Sequence, residues 1–131
     1  MENIYTHKYI EMKENKLIAE FMGLPFKMRD KETKLYYKVC EIPYPLQREH
    51  LESTYEEINL KFHESWDWLM PVVEKIEDMG CEVVMTNAEC TISGNDCYVE
   101  SIGKSRRQAT YKAVVEFINQ YNKTNRDEKD N

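Results

Sequence analysis

One segment constrains the fold more than any other. From Ser65 to Gly80 the chain reads S-W-D-W-L-M-P-V-V-E-K-I-E-D-M-G, and Trp66, Leu69, Met70, Val73, Ile76 and Met79 recur at helical spacing. Ser65 and Asp67 suit a helix N-terminus, where free amides and the helix dipole favour oxygen acceptors and negative charge. Gly80 supplies the stop. Pro71 lies too deep for the first turn if Ser65 is the cap, so a bend or a looser first turn is expected there. The spacing places a helix over about 65–79.

The residues after Gly80 limit how that helix can be buried. They form three short strand-like segments, Cys81–Thr86, Glu89–Ser93 and Cys97–Ile102, with Gly94-Asn95-Asp96 as the turn between the last two. A second amphipathic helix then spans about 105–121. Ser105 and Gln108 have the form of a capping box, and Tyr111, Val114, Val115, Ile118 and Tyr121 line one face. Helix, three-stranded meander, helix is α+β architecture.

Upstream, Asn15–Met22 carries Leu17, Ile18, Phe21 and Met22 on one helical stripe, with Asn15 placed to cap it and Gly23 and Pro25 to end it. Residues 5–14 extend this helix only with weaker periodicity. A hairpin comes next, Phe26–Arg29 and Leu35–Ile42 around the polar turn Asp30–Thr33, ended by Pro43 and Pro45. Residues 46–58 read equally as loop or short helix. Leu60 and Phe62 then alternate as a strand over Asn59–His63. The whole is expected to be an α+β fold. Its antiparallel sheet has about four to six strands, packed with an N-terminal, a central and a C-terminal helix. The expected domain covers 15–122, after an extension over 1–14 and before a polar, disordered tail over 123–131.

At 131 residues the chain has the length of one domain, and 41% hydrophobic residues suffice for a core without staples. Eighteen Lys and Arg against 24 Asp and Glu give a net charge of −6, which argues against a surface that grips nucleic acid throughout. No apolar run reaches the ~18 residues of a membrane span. The start Met1-Glu2-Asn3-Ile4-Tyr5 lacks the basic and apolar regions of a signal peptide. The expectation is therefore a cytoplasmic protein without membrane partners.

Candidate chemistry is sparse. Cys40, Cys81, Cys90 and Cys97 have no C-x-x-C spacing and read as buried structural thiols, with no metal site and no cofactor expected. His7, His50 and His63 converge with no nucleophile or acid by motif, so no catalytic residue is assigned and the protein is read as non-enzymatic. Gly103-Lys104-Ser105 lacks the upstream glycine of a phosphate-binding loop. Even so, Lys104, Ser105, Arg106, Arg107 and Lys112 at a helix start form an anion-friendly pole, a candidate nucleotide site. The acidic excess is concentrated elsewhere: residues 49–82 hold ten Asp or Glu against two Lys. Within it, Glu74, Glu77 and Asp78, with Trp66, Asp67 and Trp68, are candidates for contact with a basic protein partner. Two indoles two positions apart cannot share one helix face, so one packs inward and the other looks elsewhere.

The blocks L-I-A-E-F-M-G, S-W-D-W-L-M-P-V-V-E-K-I-E and A-T-Y-K-A-V-V-E-F-I-N-Q-Y-N resemble a family of small uncharacterised proteins encoded by phages, prophages and other mobile elements, notably in Bacteroidetes and Firmicutes. The order of helix, strands and K-A-V-V helix also resembles the phage ABA sandwich domain, an α-β-α layer fold. The chain departs from these by residues 1–14 and by the insert-like stretch 24–58. The resemblance implies a phage or prophage accessory protein in the host cytoplasm, acting by binding, and supplies no catalytic residues. Its sharpest form is a counter-defence inhibitor of a host immune protein, similar in role to an anti-CRISPR, with a host or phage protein as partner. One alternative is a sponge that sequesters a nucleotide immune signal. Another rests on G-K-S-R-R-Q-A opening the last helix, which looks like a double-stranded-RNA-binding domain. The Asn87-Ala88 loop is short for such a domain, and the helix before it is acidic. Nine tyrosines and 11% aromatics suggest a homodimer.

Overall fold

The computed structural model describes residues 4–28, 34–39, 52–56, 59–94 and 96–129. The turn 30–33, Cys40, Pro43, Pro45, His50 and the rest of 40–51 lie outside the described residues. The chain divides into two compact units, Met1–Leu60 and Lys61–Asn131, so the domain expected over 15–122 draws on both.

The first unit opens with helix α1 (Ile4–Met22), which runs back through the segment expected as an extension. Asn15 is therefore no cap. It is buried in mid-helix, where its Nδ2 donates to the Leu60 carbonyl at 3.0 Å. A buried amide needs such a partner, and this one ties the helix to a residue 45 positions away. Strands β1 (Phe26–Met28), β2 (Lys34–Val39) and β3 (Glu52–Glu56) form an antiparallel sheet in that order, with Phe26 opposite Tyr36 and Tyr36 opposite Tyr55. The strand expected over 59–63 is absent. Leu60 and Phe62 are both buried, but from a turn that leads into the next helix. Their alternation reflects burial rather than pleating.

The second unit is the expected spine. Helix α2 (Trp66–Asp78) runs through Pro71, and it buries Trp68, Leu69, Val72, Val73 and Ile76. Met70 faces solvent instead, because the row through Trp68 and Val72 carries the denser apolar surface. Ser65 takes the cap position by backbone alone, its carbonyl accepting from Leu69 N at 3.0 Å. At the far end Gly80, at φ +96, lets its own amide reach Glu77 O and the Cys81 amide reach Ile76 O, a Schellman stop. Strands β4 (Glu82–Met85), β5 (Glu89–Gly94) and β6 (Cys97–Ile102) make an antiparallel meander. Helix α3 (Arg106–Lys129) packs on β5 and β6, α2 packs on β4, and the two helices touch.

Both helices thus cover one face of the sheet. Cys90, Ile92 and Val99 point into that layer and are buried, with Ala109, Ala113, Val114, Phe117 and Ile118 from α3. This unit has two layers, not the three of an α-β-α sandwich. Among the described residues the six strands form two sheets of three, so neither reaches the expected four to six strands. α3 continues to Lys129, through most of the segment expected to be disordered. Once a packed helix is nucleated, each further residue adds a hydrogen bond without a new nucleation cost, and polar composition does not stop it. Among the described residues no helix is long and apolar enough to cross a membrane.

Candidate anion-binding groove at the start of α3

The order of elements brings three distant segments together. A tight turn at Gly80 sends β4 back along α2, so the end of β4 lies beside the start of α2. Three strands is an odd number, so β6 finishes at that same end, and α3 begins there. Trp66, the β4–β5 turn and the first turn of α3 are accordingly neighbours. They line an open groove of about 400 Å³ formed by Trp66, Asn87, Ser105, Arg106 and Arg107. That volume is within the range of small-molecule sites.

The first turn of α3 is held by the capping box expected from sequence. Ser105 Oγ accepts from Gln108 N at 3.1 Å. The Gln108 side chain answers by accepting from the Lys104 amide rather than from that of the cap itself. Gly103 makes this closure possible: its amide donates to Ala88 O at 2.9 Å, and a Cβ there would lie 2.6 Å from Ala109 N. Arg106 is fixed against the turn, with Nε donating to Thr86 O and Nη2 to Asn87 Oδ1, each at 3.2 Å. Arg107 is half-buried, and its Nε is buried with no hydrogen-bond partner. A buried guanidinium donor without an acceptor is costly, and the same residue lines the groove.

The candidate residues therefore fall into four places. Trp66, Ser105, Arg106 and Arg107 share the groove, although sequence alone points Trp66 to a protein interface and the others to an anion site. Lys104 and Lys112 are exposed beside it, and Lys112 Nζ donates to Ile102 O at 3.3 Å. Trp68 is 6% exposed and meets the Phe62 ring edge-on at 5.1 Å, which makes it a core residue and removes it from any interface. Asp67, Glu74, Glu77 and Asp78 are exposed along α2. Asn87 is a groove residue that no sequence motif marks. Its signal is the short turn itself, which delivers a side-chain amide to the end of the sheet where α3 starts.

No family model, curated protein or solved structure matches this chain. The site rests on its own geometry.

Cys81, Cys90 and Cys97 do not line it. Cys81 and Cys90 are buried, and burial pushes the Cys90 thiol above its ordinary value despite a hydrogen bond with Thr110 that pulls the other way. Cys97 is half-buried, and its Sγ donates to Gln120 Oε1 at 3.1 Å. Desolvation, followed by the nearby Cys81 and Glu116, raises its pKa as well. Raised thiols are poor nucleophiles and poor metal ligands. Among the described residues no three His, Cys, Asp or Glu side chains are grouped to hold a metal ion.

Proposed function

We propose that the protein acts by binding a small phosphate-bearing ligand, a nucleotide, in the groove at the start of α3. One observation carries the reading: an indole, a capped helix N-terminus and two arginines line the same cavity. The helix dipole and Arg107 suit a phosphate, and an indole face suits a nucleobase. With the resemblance to phage-encoded proteins, this makes the chain a sponge for a nucleotide signal of host immunity.

Thermal shift against mono-, di- and cyclic nucleotides tests the reading. A ligand at a hundred times its dissociation constant adds about 2.7 kcal/mol. Arg107→Ala should abolish the shift while leaving the unliganded melt nearly unchanged. If no nucleotide moves the melting curve, the reading fails. Duplex RNA belongs in the same screen, because helix–meander–helix with both helices on one face matches the order that suggests an RNA-binding domain. A shift with duplex RNA alone, falling steeply with salt, would replace the nucleotide.

A second reading has its own support. Asp67, Met70, Glu74, Glu77 and Asp78 are all exposed and form a ridge along α2 at spacings of three and four. This ridge suits a basic surface on a host protein, the counter-defence inhibitor. Its test is the Glu74→Lys, Asp78→Lys double variant, which should lose inhibition of the target while keeping any nucleotide shift.

A further inference from the structure

The outer face of the β4–β5–β6 sheet, opposite the helices, belongs neither to the groove nor to the acidic ridge. Pairing register sets three rows across it: Glu82, Ser93 and Tyr98; then Val84, Thr91 and Glu100; then Glu89 and Ile102. Val84, Tyr98 and Ile102 are 47, 62 and 64% exposed. Large apolar side chains this open, grouped on one face, mark interaction sites more often than ordinary surface. Its three carboxylates, Glu82, Glu89 and Glu100, have no lysine, arginine or histidine among the strand residues of that face. The negative field is felt locally. Glu100 beside Tyr98 holds the phenol above its usual pKa, and its Oε2 accepts from the phenol oxygen at 3.3 Å.

We infer that this face docks a cationic segment of a partner protein that presents lysine or arginine and apolar residues together on its contact side. Charge complementarity decides the sign of the partner, since an acidic or neutral apolar segment would strand three carboxylates against it. The spacing follows from the rows. Each apolar side chain of the face has a carboxylate in its own row or the next, so an extended segment meets them with basic and apolar residues taking turns at every second position, the positions that share one side of a strand. An aromatic ring also offers a face for a cation at Tyr98. The groove at the start of α3 shares none of these side chains, so the two sites are independent.

The test uses the full chain and a short fluorescein-labelled peptide of repeating Lys-Ser-Leu-Ser, which sets lysine and leucine on one side of a strand, with a Glu-Ser-Leu-Ser peptide as control. Anisotropy should show saturable binding of the first only, weakening with salt. The Glu82→Lys, Glu100→Lys double variant should weaken it by at least about tenfold. Tyr98→Ser should weaken it as well, with an unchanged circular dichroism melt showing that the fold is kept. Amide shifts in NMR should map to Val84, Thr91 and Tyr98. No binding, equal binding of both peptides, or shifts confined to α2 would each overturn the inference. Displacement of the peptide by nucleotide would assign it to the groove and overturn it too.

Discussion

Replacing Gly103 by alanine puts one methyl where the route into α3 leaves no room. The added Cβ would stand 2.6 Å from Ala109 N, 3.0 Å from Gln108 Oε1 and 3.1 Å from Ala109 Cα. The glutamine oxygen can swing aside, at the expense of its bond from the Lys104 amide. The two Ala109 atoms are helix backbone and cannot. Reaching 3.4 Å, where ordinary contact begins, takes a shift of about 0.8 Å. On its other side Gly103 is pinned to Ala88 O, so the first turn of α3 must yield, carrying Arg106 and Arg107 away from Asn87 and Trp66. Forcing a methyl into a filled site costs about 2 kcal/mol. For a unit the length of Lys61–Asn131 that lowers Tm by about 10 °C, read by circular dichroism. Nucleotide affinity, read by calorimetry, should fall about tenfold further, the loss of one charge-assisted hydrogen bond. A variant melting within ~2 °C of the parent would refute the clash argument. A depressed Tm with unchanged affinity would show that the nucleotide binds elsewhere.

Three other perturbations probe the two units. Asn15→Ala strips the Leu60 carbonyl of a buried donor and should cost about 1–3 kcal/mol in urea denaturation, whereas Glu20→Ala on the exposed side of α1 should cost almost nothing. Ile76→Ala, at a position with no exposed surface, should cost about 2–5 kcal/mol through the cavity it leaves, seen as a lower urea midpoint at constant slope. The Cys90 thiol has a folded pKa above its ordinary 9.0, so below pH 9 neither state is ionised and it leaves stability unchanged. Above that the unfolded chain releases a proton that the folded one retains. Stability then falls with rising pH by up to ~1.4 kcal/mol per unit, and Cys90→Ala should flatten the decline in alkaline melts.

How much of the fold is legible in the chain depends on whether a pattern has a second, independent mark. α2 has apolar periodicity plus a glycine stop, and α3 has periodicity plus Ser105 and Gln108, which do form the capping contact. The β4–β6 meander has turn residues at both bends. β3 has neither mark. Its sequence E-S-T-Y-E carries one large apolar residue, and it is a strand because β2 offers it a ladder, with Tyr36 opposite Tyr55. The alternation of Leu60 and Phe62 points the wrong way for the same reason: two buried side chains two apart fit a turn that plugs a core as well as they fit a strand. Asn15 shows the converse error. A residue type that commonly caps helices is instead needed to satisfy a distant carbonyl.

The groove is hidden in the sequence although most of its residues stand out there. Trp66 and Arg106 are forty positions apart and suggest different partners, yet the count of strands between them already decides that they meet. Two or four strands would send α3 off from the opposite end of the sheet; three return it to the start of α2. The same parity bears on how a chain of net charge −6 would hold the proposed phosphate. Glu74, Glu77 and Asp78 sit eight to twelve residues along α2 from Trp66, about 12–18 Å at the helical rise. That exceeds the screening length of about 8 Å at physiological salt, so their field is largely spent before it reaches the groove. Of the acidic candidates on α2 only Asp67 stays at that end, against Arg106, Arg107 and the dipole of a 24-residue helix. Asp67→Asn should therefore tighten nucleotide binding at every salt concentration, whereas neutralising Glu74 and Asp78 should matter only at low salt. Equal effects from both ends of α2 would mean that the net charge, and not its placement, governs the ligand.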